Sequence, residues 1–204
     1  MGSSLARGGD LESPETLVLA STSPQRRAIL EQLGIPFEAV PPRYEESHAG
    51  LDPVTMVQEH ACGKARSVVD EARGRSVLGV DTAVVLEETV FGKPAEDGEA
   101  AEMLRALSGR VHKVVSGLCL LGEGFRVVDN EVTRVAFREL SEGAVQAYVA
   151  SGEWRGRAGA YAIQGLGASL VARIEGDYLN VVGLPGALLL RVLEERWPHA
   201  YCLG

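Results

Sequence analysis

Ser76-Val77-Leu78-Gly79-Val80-Asp81-Thr82 is the stretch on which the reading of this chain turns. It is apolar, carries β-branched residues and is too short for a helix of its own, so it reads as a buried strand over residues 77–80. A carboxylate ends the run, and a Gly92-Lys93-Pro94 turn brings a lysine back twelve residues after Asp81. This places Asp81 at the rim of a sheet, where open α/β sheets bind ligands. Two readings stay open on these residues alone. Asp81 is either a turn former or part of a metal and phosphate site to which Lys93 contributes a cation.

Upstream, Leu17-Val18-Leu19-Ala20 is a short buried strand, and Ser21-Thr22-Ser23-Pro24 has the opening chemistry of a helix: a serine N-cap with proline at the first helical position. That helix runs to about Leu33, before Gly34. A strand at 35–40 and an irregular loop at 41–46 follow. Asp52-Pro53 then caps a long helix to about Glu71, with Val54, Val57, Ala61, Ala65 and Val68 recurring on one face. Beyond Asp81 the pattern gives a hairpin of 83–86 with 90–91, a helix at 97–107, and two long strands at 111–121 and 126–137 joined by Gly122-Glu123-Gly124. Ser141 caps a helix to about Ala150. The tail reads as strands near 169–174 and 179–182 and a last helix from Pro185 to about Arg196. Alternating strands and helices define the class as α/β with a mixed sheet.

A chain of 204 residues with 46% hydrophobic content can bury one sizeable core or two small lobes sharing a sheet. Its net charge of −8 argues against general affinity for nucleic acid or an anionic membrane, so any phosphate must be met by local cations. Cys62, Cys119 and Cys202 are too widely spaced for a CxxC metal pair or a disulfide framework, and a reducing cytoplasm fits them best. Residues 1–16 are rich in Gly and Ser and read as a disordered leader, with a single domain over 17–204. No window approaches a membrane span.

Candidate chemistry gathers at the first helix. Ser21-Thr22-Ser23-Pro24-Gln25-Arg26-Arg27 brings unpaired N–H groups, hydroxyls and two guanidiniums to one helix N-terminus, a ready anion site. Arginine in a first turn opposes the helix dipole, a local fault that function can explain. Glu45 and Glu46, with Asp81, could hold a magnesium-like ion; a solvated acidic loop is the alternative. Lys64, on the mostly apolar side of the long helix, and Lys93 are possible point cations for phosphate, or surface lysines. Neither Gly63-Lys64-Ala65 nor Gly92-Lys93-Pro94 has P-loop spacing. Gly165-Leu166-Gly167 lacks a dinucleotide context, and His48, His60, His112 and His199 show no metal-ligand spacing. Carboxylates and cations around a helix N-terminus remain, which fits metal-assisted attack of water on a phosphoanhydride.

Five stretches, in this order, resemble one family: residues 19–27, Tyr44-Glu45-Glu46, Gly79-Val80-Asp81-Thr82 with Gly92-Lys93-Pro94, residues 103–109, and Ala158-Gly159-Ala160-Tyr161-Ala162-Ile163-Gln164-Gly165. Together with residues 174–185 they make the chain similar to the Maf nucleoside triphosphate pyrophosphatases. The resemblance implies an elongated α/β fold of two lobes with a central cleft, related to the inosine triphosphatases. It also implies hydrolysis of a nucleoside triphosphate to the monophosphate and pyrophosphate with a divalent cation, Mg or Mn. By the same resemblance Asp81 is the proton acceptor and, with Glu46, a metal ligand. Ser23, Arg26, Lys64 and Lys93 become cleft residues for phosphate, while Thr82 and Gln164 match positions linked to substrate choice. The 159–164 stretch looks like the branch acting on dTTP and UTP. Gln25 departs from the pattern, standing where many members have the first arginine of a pair. One cation of the phosphate cradle is therefore missing or supplied by Arg27. Val80 in place of the usual alanine is a packing change. The resemblance further implies a homodimer and a septum-inhibition role; the competing expectation is a non-catalytic nucleotide-binding regulator.

Overall fold

The computed structural model describes residues 15–47, 50–198 and 200–201. Its seven-stranded sheet has the order β2-β1-β3-β5-β6-β7, with β4 paired to β3. The strands are β1 Leu17–Ala20, β2 Phe37–Val40, β3 Val77–Leu86, β4 Thr89–Phe91, β5 Val111–Gly122, β6 Phe125–Phe137 and β7 Val171–Glu175. β1 runs parallel to β2 and β3, and every other pairing is antiparallel.

Strand alternation divides the core between two faces. The even-numbered residues of β3 look one way, and its odd-numbered residues look the other. On the even face, Leu78 and Val80 pack with Leu17, Leu19, Leu118 and Leu120 beneath helices α1 (Pro24–Gln32) and α7 (Gly186–Arg196). Further along the same face, Val84 and Leu86 pack beneath α4 (Asp97–Leu107) and α5 (Glu142–Ser151). These clusters form the two lobes. The odd face belongs to α2 (Pro53–Arg66) and the short α3 (Val69–Ala72), which cover Val18, Val77, Cys119, Ala83 and Val115.

Two glycines let α2 lie close on the sheet. A Cβ on Gly79 would collide with the Ala61 carbonyl oxygen, and one on Gly117 with the Val57 carbonyl. Both glycines are on the odd face, and Gly117 lies directly across from Asp81 in the β3–β5 ladder. Without side chains at these two points the helix backbone approaches the strands, and its own side chains reach Asp81.

Several expectations are met: the Ser23-Pro24 and Asp52-Pro53 helix starts, the α4 and α5 helices and the long β5–β6 hairpin are all found. Four readings change. Residues 77–80 and 83–86 are one ten-residue strand, so Asp81 lies mid-strand rather than at a strand end. The helix expected to run to Glu71 stops at Arg66, and α3 follows as a separate turn. The strand expected at 179–182 is instead α6 (Tyr178–Val182), begun by the Asp177 side chain accepting from the Leu179 N–H at 2.7 Å. The strand expected near 169–174 starts only at Val171, after a 3-10 helix over Gly165–Leu170. Of the expected leader, residues 1–14 lie outside the described residues. Glu15 is tied in: its carboxylate accepts from Ser76 N at 2.8 Å and from Ser76 Oγ at 3.2 Å. Among the described residues no helix is long and apolar enough to cross a membrane.

Candidate active site

The registers of β3 locate the site. On its β1 side, β3 is paired only at Val77 and Leu78, and then again at 84–86 with β4. Among the described residues, that edge has no strand partner from Gly79 to Ala83, which leaves a notch where β1 has run out. Because β1 leads to α1 on one face while β2 leads to α2 on the other, the notch is a topological switch point, the usual ligand crevice of an open α/β sheet. Asp81 therefore lies at a rim after all, created by the ending of its neighbour rather than of its own strand. A cleft of about 370 Å³ opens there, between the two lobes, within the ordinary size of a small-molecule site. Ser23, Gln25, Arg26, Glu46, Lys64, Thr82, Lys93 and Gln164 all line it.

Thr82 faces the cleft on the even side, and Asp81 faces α2 on the odd side, behind Lys64. Lys64 is 8% exposed, and its ammonium donates to Asp81 Oδ1 at 2.5 Å and to Glu46 Oε1 at 2.6 Å. A buried ammonium needs such partners, and removing Lys64 would take from both carboxylates the cation they share. Burial works to raise the Glu46 pKa, but the hydrogen bond and charge of Lys64, with Lys93 farther off, overcome it and hold the carboxyl below its usual range. Glu45, its neighbour, does not line the cleft.

Arg26 ties the opposite wall together. Its Nε donates to the Gly183 carbonyl at 3.0 Å, Nη1 to Ser21 Oγ at 3.3 Å and Nη2 to Thr82 Oγ1 at 3.3 Å. Thr82 Oγ1 also pairs with Ser116 Oγ at 2.9 Å across the β3–β5 ladder. Burial lowers the Arg26 pKa, and the charges of Asp81 and Glu46 oppose that, so the guanidinium stays a cation. Ser23 caps α1, its Oγ accepting from Arg26 N at 3.4 Å and donating to Gln25 Oε1 at 3.2 Å. Arg27 is exposed and outside the cleft, so it does not replace the arginine missing at Gln25. Lys93 and Gln164 stand on the rim, in the loops after β4 and before the 3-10 helix.

Two neighbours of the site were not singled out from sequence. Arg157 lines the cleft as a further cation. His60, four residues before Lys64 on α2, is 1% exposed and contacts Asp81 Oδ2 through Nδ1 at 3.1 Å. The i,i+4 spacing of His60 and Lys64 was the available signal, since it puts both on one helix face. Away from the cleft, Cys62 on α2 and Cys119 on β5 are free, buried thiols in one cluster of the odd face, a proximity hidden by their separation in sequence; Cys202 lies outside the described residues.

A family model described as Maf-like protein matches residues 16–196. The chain belongs to the Maf family. A relative from Nitratidesulfovibrio vulgaris, named dTTP/UTP pyrophosphatase, is 46% identical over 191 residues, 92% of this chain and 91% of that protein. Relatives of the same name from Moorella thermoacetica and Thermococcus onnurineus are 49% and 45% identical, over 83% and 87% of this chain and 89% and 96% of their own lengths. Among solved structures, that of the Staphylococcus aureus Ham1 protein matches 60% of this chain and 72% of its own at 14% identity and a TM-score of 0.42. Membership in the Maf family, expected from the five motif stretches, is thus established by the family match and these relatives.

Proposed function

We propose that this Maf protein hydrolyses a pyrimidine nucleoside triphosphate, dTTP or UTP, to the monophosphate and pyrophosphate. The observation that carries the proposal is the meeting, at one notch in the sheet, of a cationic cleft wall with a pair of carboxylates held around a single ammonium. The names of the relatives supply the substrate class.

The triphosphate enters against the α1 N-terminus, where backbone N–H groups, Ser23 and Arg26 favour anionic oxygen. Lys93 and Arg157 close the cleft from the other lobe. Asp81 accepts the proton of a water whose oxygen bonds to the α-phosphorus, while the bond to the oxygen bridging the α- and β-phosphorus breaks. Pyrophosphate leaves carrying new charge, which Arg26, Lys64 and Lys93 stabilise, the kind of electrostatic term that dominates many enzymes. Gln25 supplies a neutral amide where a second cation would otherwise stand, so the phosphate cradle of this chain is weaker by one charge. Thr82 and Gln164, which both line the cleft, meet the sugar and base in this reading, and an amide can both donate to and accept from a pyrimidine edge.

A divalent cation fits the site's chemistry, because Asp81 and Glu46 already converge on one positive charge. Asp81 and Glu46 would hold it, and once bound such an ion acidifies water and screens the triphosphate. The test is to incubate the protein with Mg²⁺ or Mn²⁺ and a panel of canonical and modified triphosphates, and to measure pyrophosphate and monophosphate. Equimolar release from dTTP and UTP is expected. Tight nucleotide binding with no release from any substrate would make the protein a nucleotide-binding regulator instead.

A further inference from the structure

Gln164 lines the cleft from the N-cap position of the 3-10 helix over Gly165–Leu170. A polar side chain at such a position ordinarily turns back to accept from the first N–H groups of its helix, which no carbonyl of that helix can reach. Gln164 makes no cap bond. Glu153 caps in its place: its carboxylate accepts from Leu166 N at 3.1 Å through Oε1 and from Gly167 N at 3.2 Å through Oε2. An ionised carboxylate is a stronger acceptor than a neutral amide, so the helix start is held firmly while the Gln164 amide stays uncommitted to it.

The surrounding chain seats this carboxylate. Glu153 follows α5, and its own N–H donates to Ser151 Oγ at 3.2 Å. Beside it Trp154 is buried, its Nε1 donating to Val149 O at 3.1 Å. Gly165 has a φ of +64°, which glycine adopts at no steric cost, and a Cβ there would lie 2.7 Å from Glu153 Oε1. A Cβ on Gly167 would collide with the Ala162 carbonyl oxygen, and Ala162 N donates to the Tyr148 hydroxyl of α5 at 3.0 Å. The two glycines of Gly165-Leu166-Gly167 thus serve the close packing of a turn over 162–167, held at one end by Tyr148 and at the other by Glu153.

We propose that Glu153 is a positioning residue for nucleobase selection: by capping the 3-10 helix it fixes the place from which Gln164 meets the pyrimidine edge. Glu153 does not itself line the cleft, so it acts through Gln164 rather than on the substrate. The inference rests on the reading of the cleft as a pyrimidine nucleotide site with Gln164 facing the base.

Calorimetry with the α,β-methylene analogues of dTTP, UTP and ATP, in Mg²⁺, measures base preference without turnover. The wild type is expected to bind the two pyrimidine analogues more tightly than the ATP analogue. Glu153→Gln keeps the side chain's size but turns an NH₂ group toward one of the two N–H donors. With wild-type circular dichroism, this variant should lose about tenfold in pyrimidine preference, while its affinity for the ATP analogue stays within about twofold. Gln164→Ala should lose the preference as well, and adding Glu153→Gln to it should change the preference no further, a coupling that a merely structural role would not give. Should Glu153→Gln not fold, Glu153→Asp, which keeps the charge but shortens the reach, should show the same coupled loss. No pyrimidine preference in the wild type, an unchanged preference in the folded Glu153 variant, a preference that survives Gln164→Ala, or losses that add in the double variant would each overturn the assignment. Pyrophosphate release from dTTP by the wild type separates the two ideas. Release together with an unchanged preference in Glu153→Gln removes Glu153 alone; no release removes the pyrophosphatase reading and leaves the binding comparison to decide Glu153.

Discussion

Gly79→Ala should damage the enzyme through a single methyl group placed behind the site. The new Cβ would collide with the Ala61 carbonyl oxygen and lie 2.9 Å from Ala65 Cβ and 3.0 Å from Ala65 N. These are mostly atoms of the α2 backbone, which cannot rotate aside as a side chain could. The helix must shift outward, and overpacking of this kind costs about 1–3 kcal/mol. The same helix carries Lys64 and His60, both in contact with Asp81. A misplacement on the order of 1 Å at such groups can cost about 10²-fold in rate. Urea denaturation gives the stability change, and pyrophosphate release gives kcat/KM. Gly98→Ala is the control: Gly98 is exposed in the first turn of α4, where an added Cβ meets only the Glu96 side chain at 3.7 Å, so this change should be neutral or stabilising by up to about 1 kcal/mol. Wild-type stability and turnover in Gly79→Ala would refute the argument that close approach of α2 builds the site.

Other outcomes follow from the same structure. His112 is 1% exposed, and burial lowers its pKa from 6.5 to about 4, so the folded protein keeps it neutral where the unfolded chain would protonate it. Its contribution is intact above pH ~6.5 and falls away between there and pH ~4 by up to about 3 kcal/mol. Replacing His112 with Phe should flatten the acid limb of a stability-against-pH curve, even if stability at pH 8 drops through loss of the Tyr161 hydrogen bond at 2.8 Å. Gln25→Arg restores a cation to the cleft wall and should lower KM for triphosphate several-fold, with a steeper rise in KM as salt increases. An unchanged KM and salt slope would show that position 25 does not meet phosphate.

The parts of this fold legible in sequence are those fixed by local chemistry. Ser23-Pro24 and Asp52-Pro53 start helices because a side chain there satisfies N–H groups that no carbonyl can reach, and the structure has both caps. Tertiary contacts decided the rest. Tyr178–Val182 is short, apolar and β-branched, a pattern shared by a strand and a buried helical turn. The turn is settled by the Asp177 cap and by buried Asn180, whose Nδ2 donates to Val114 O at 3.1 Å and Thr133 Oγ1 at 3.0 Å. Asp81 looked like a strand end because the polar Asp81-Thr82 pair interrupts an apolar run, though the strand continues to Leu86. Their polarity is accommodated by Lys64 on one face and Arg26 and Ser116 on the other. Spacing along the chain could not show that Glu46, His60 and Asp81 come together, since they belong to a loop, a helix and a strand.

The central claim is that Asp81 takes the proton from the attacking water. Asp81→Asn keeps the side chain's size, and its effect is best read by pyrophosphate release from dTTP and UTP, with nucleotide binding and circular dichroism measured in parallel. The account predicts a folded protein that binds nucleotide and releases no pyrophosphate above the uncatalysed rate. Turnover at the wild-type rate would contradict it.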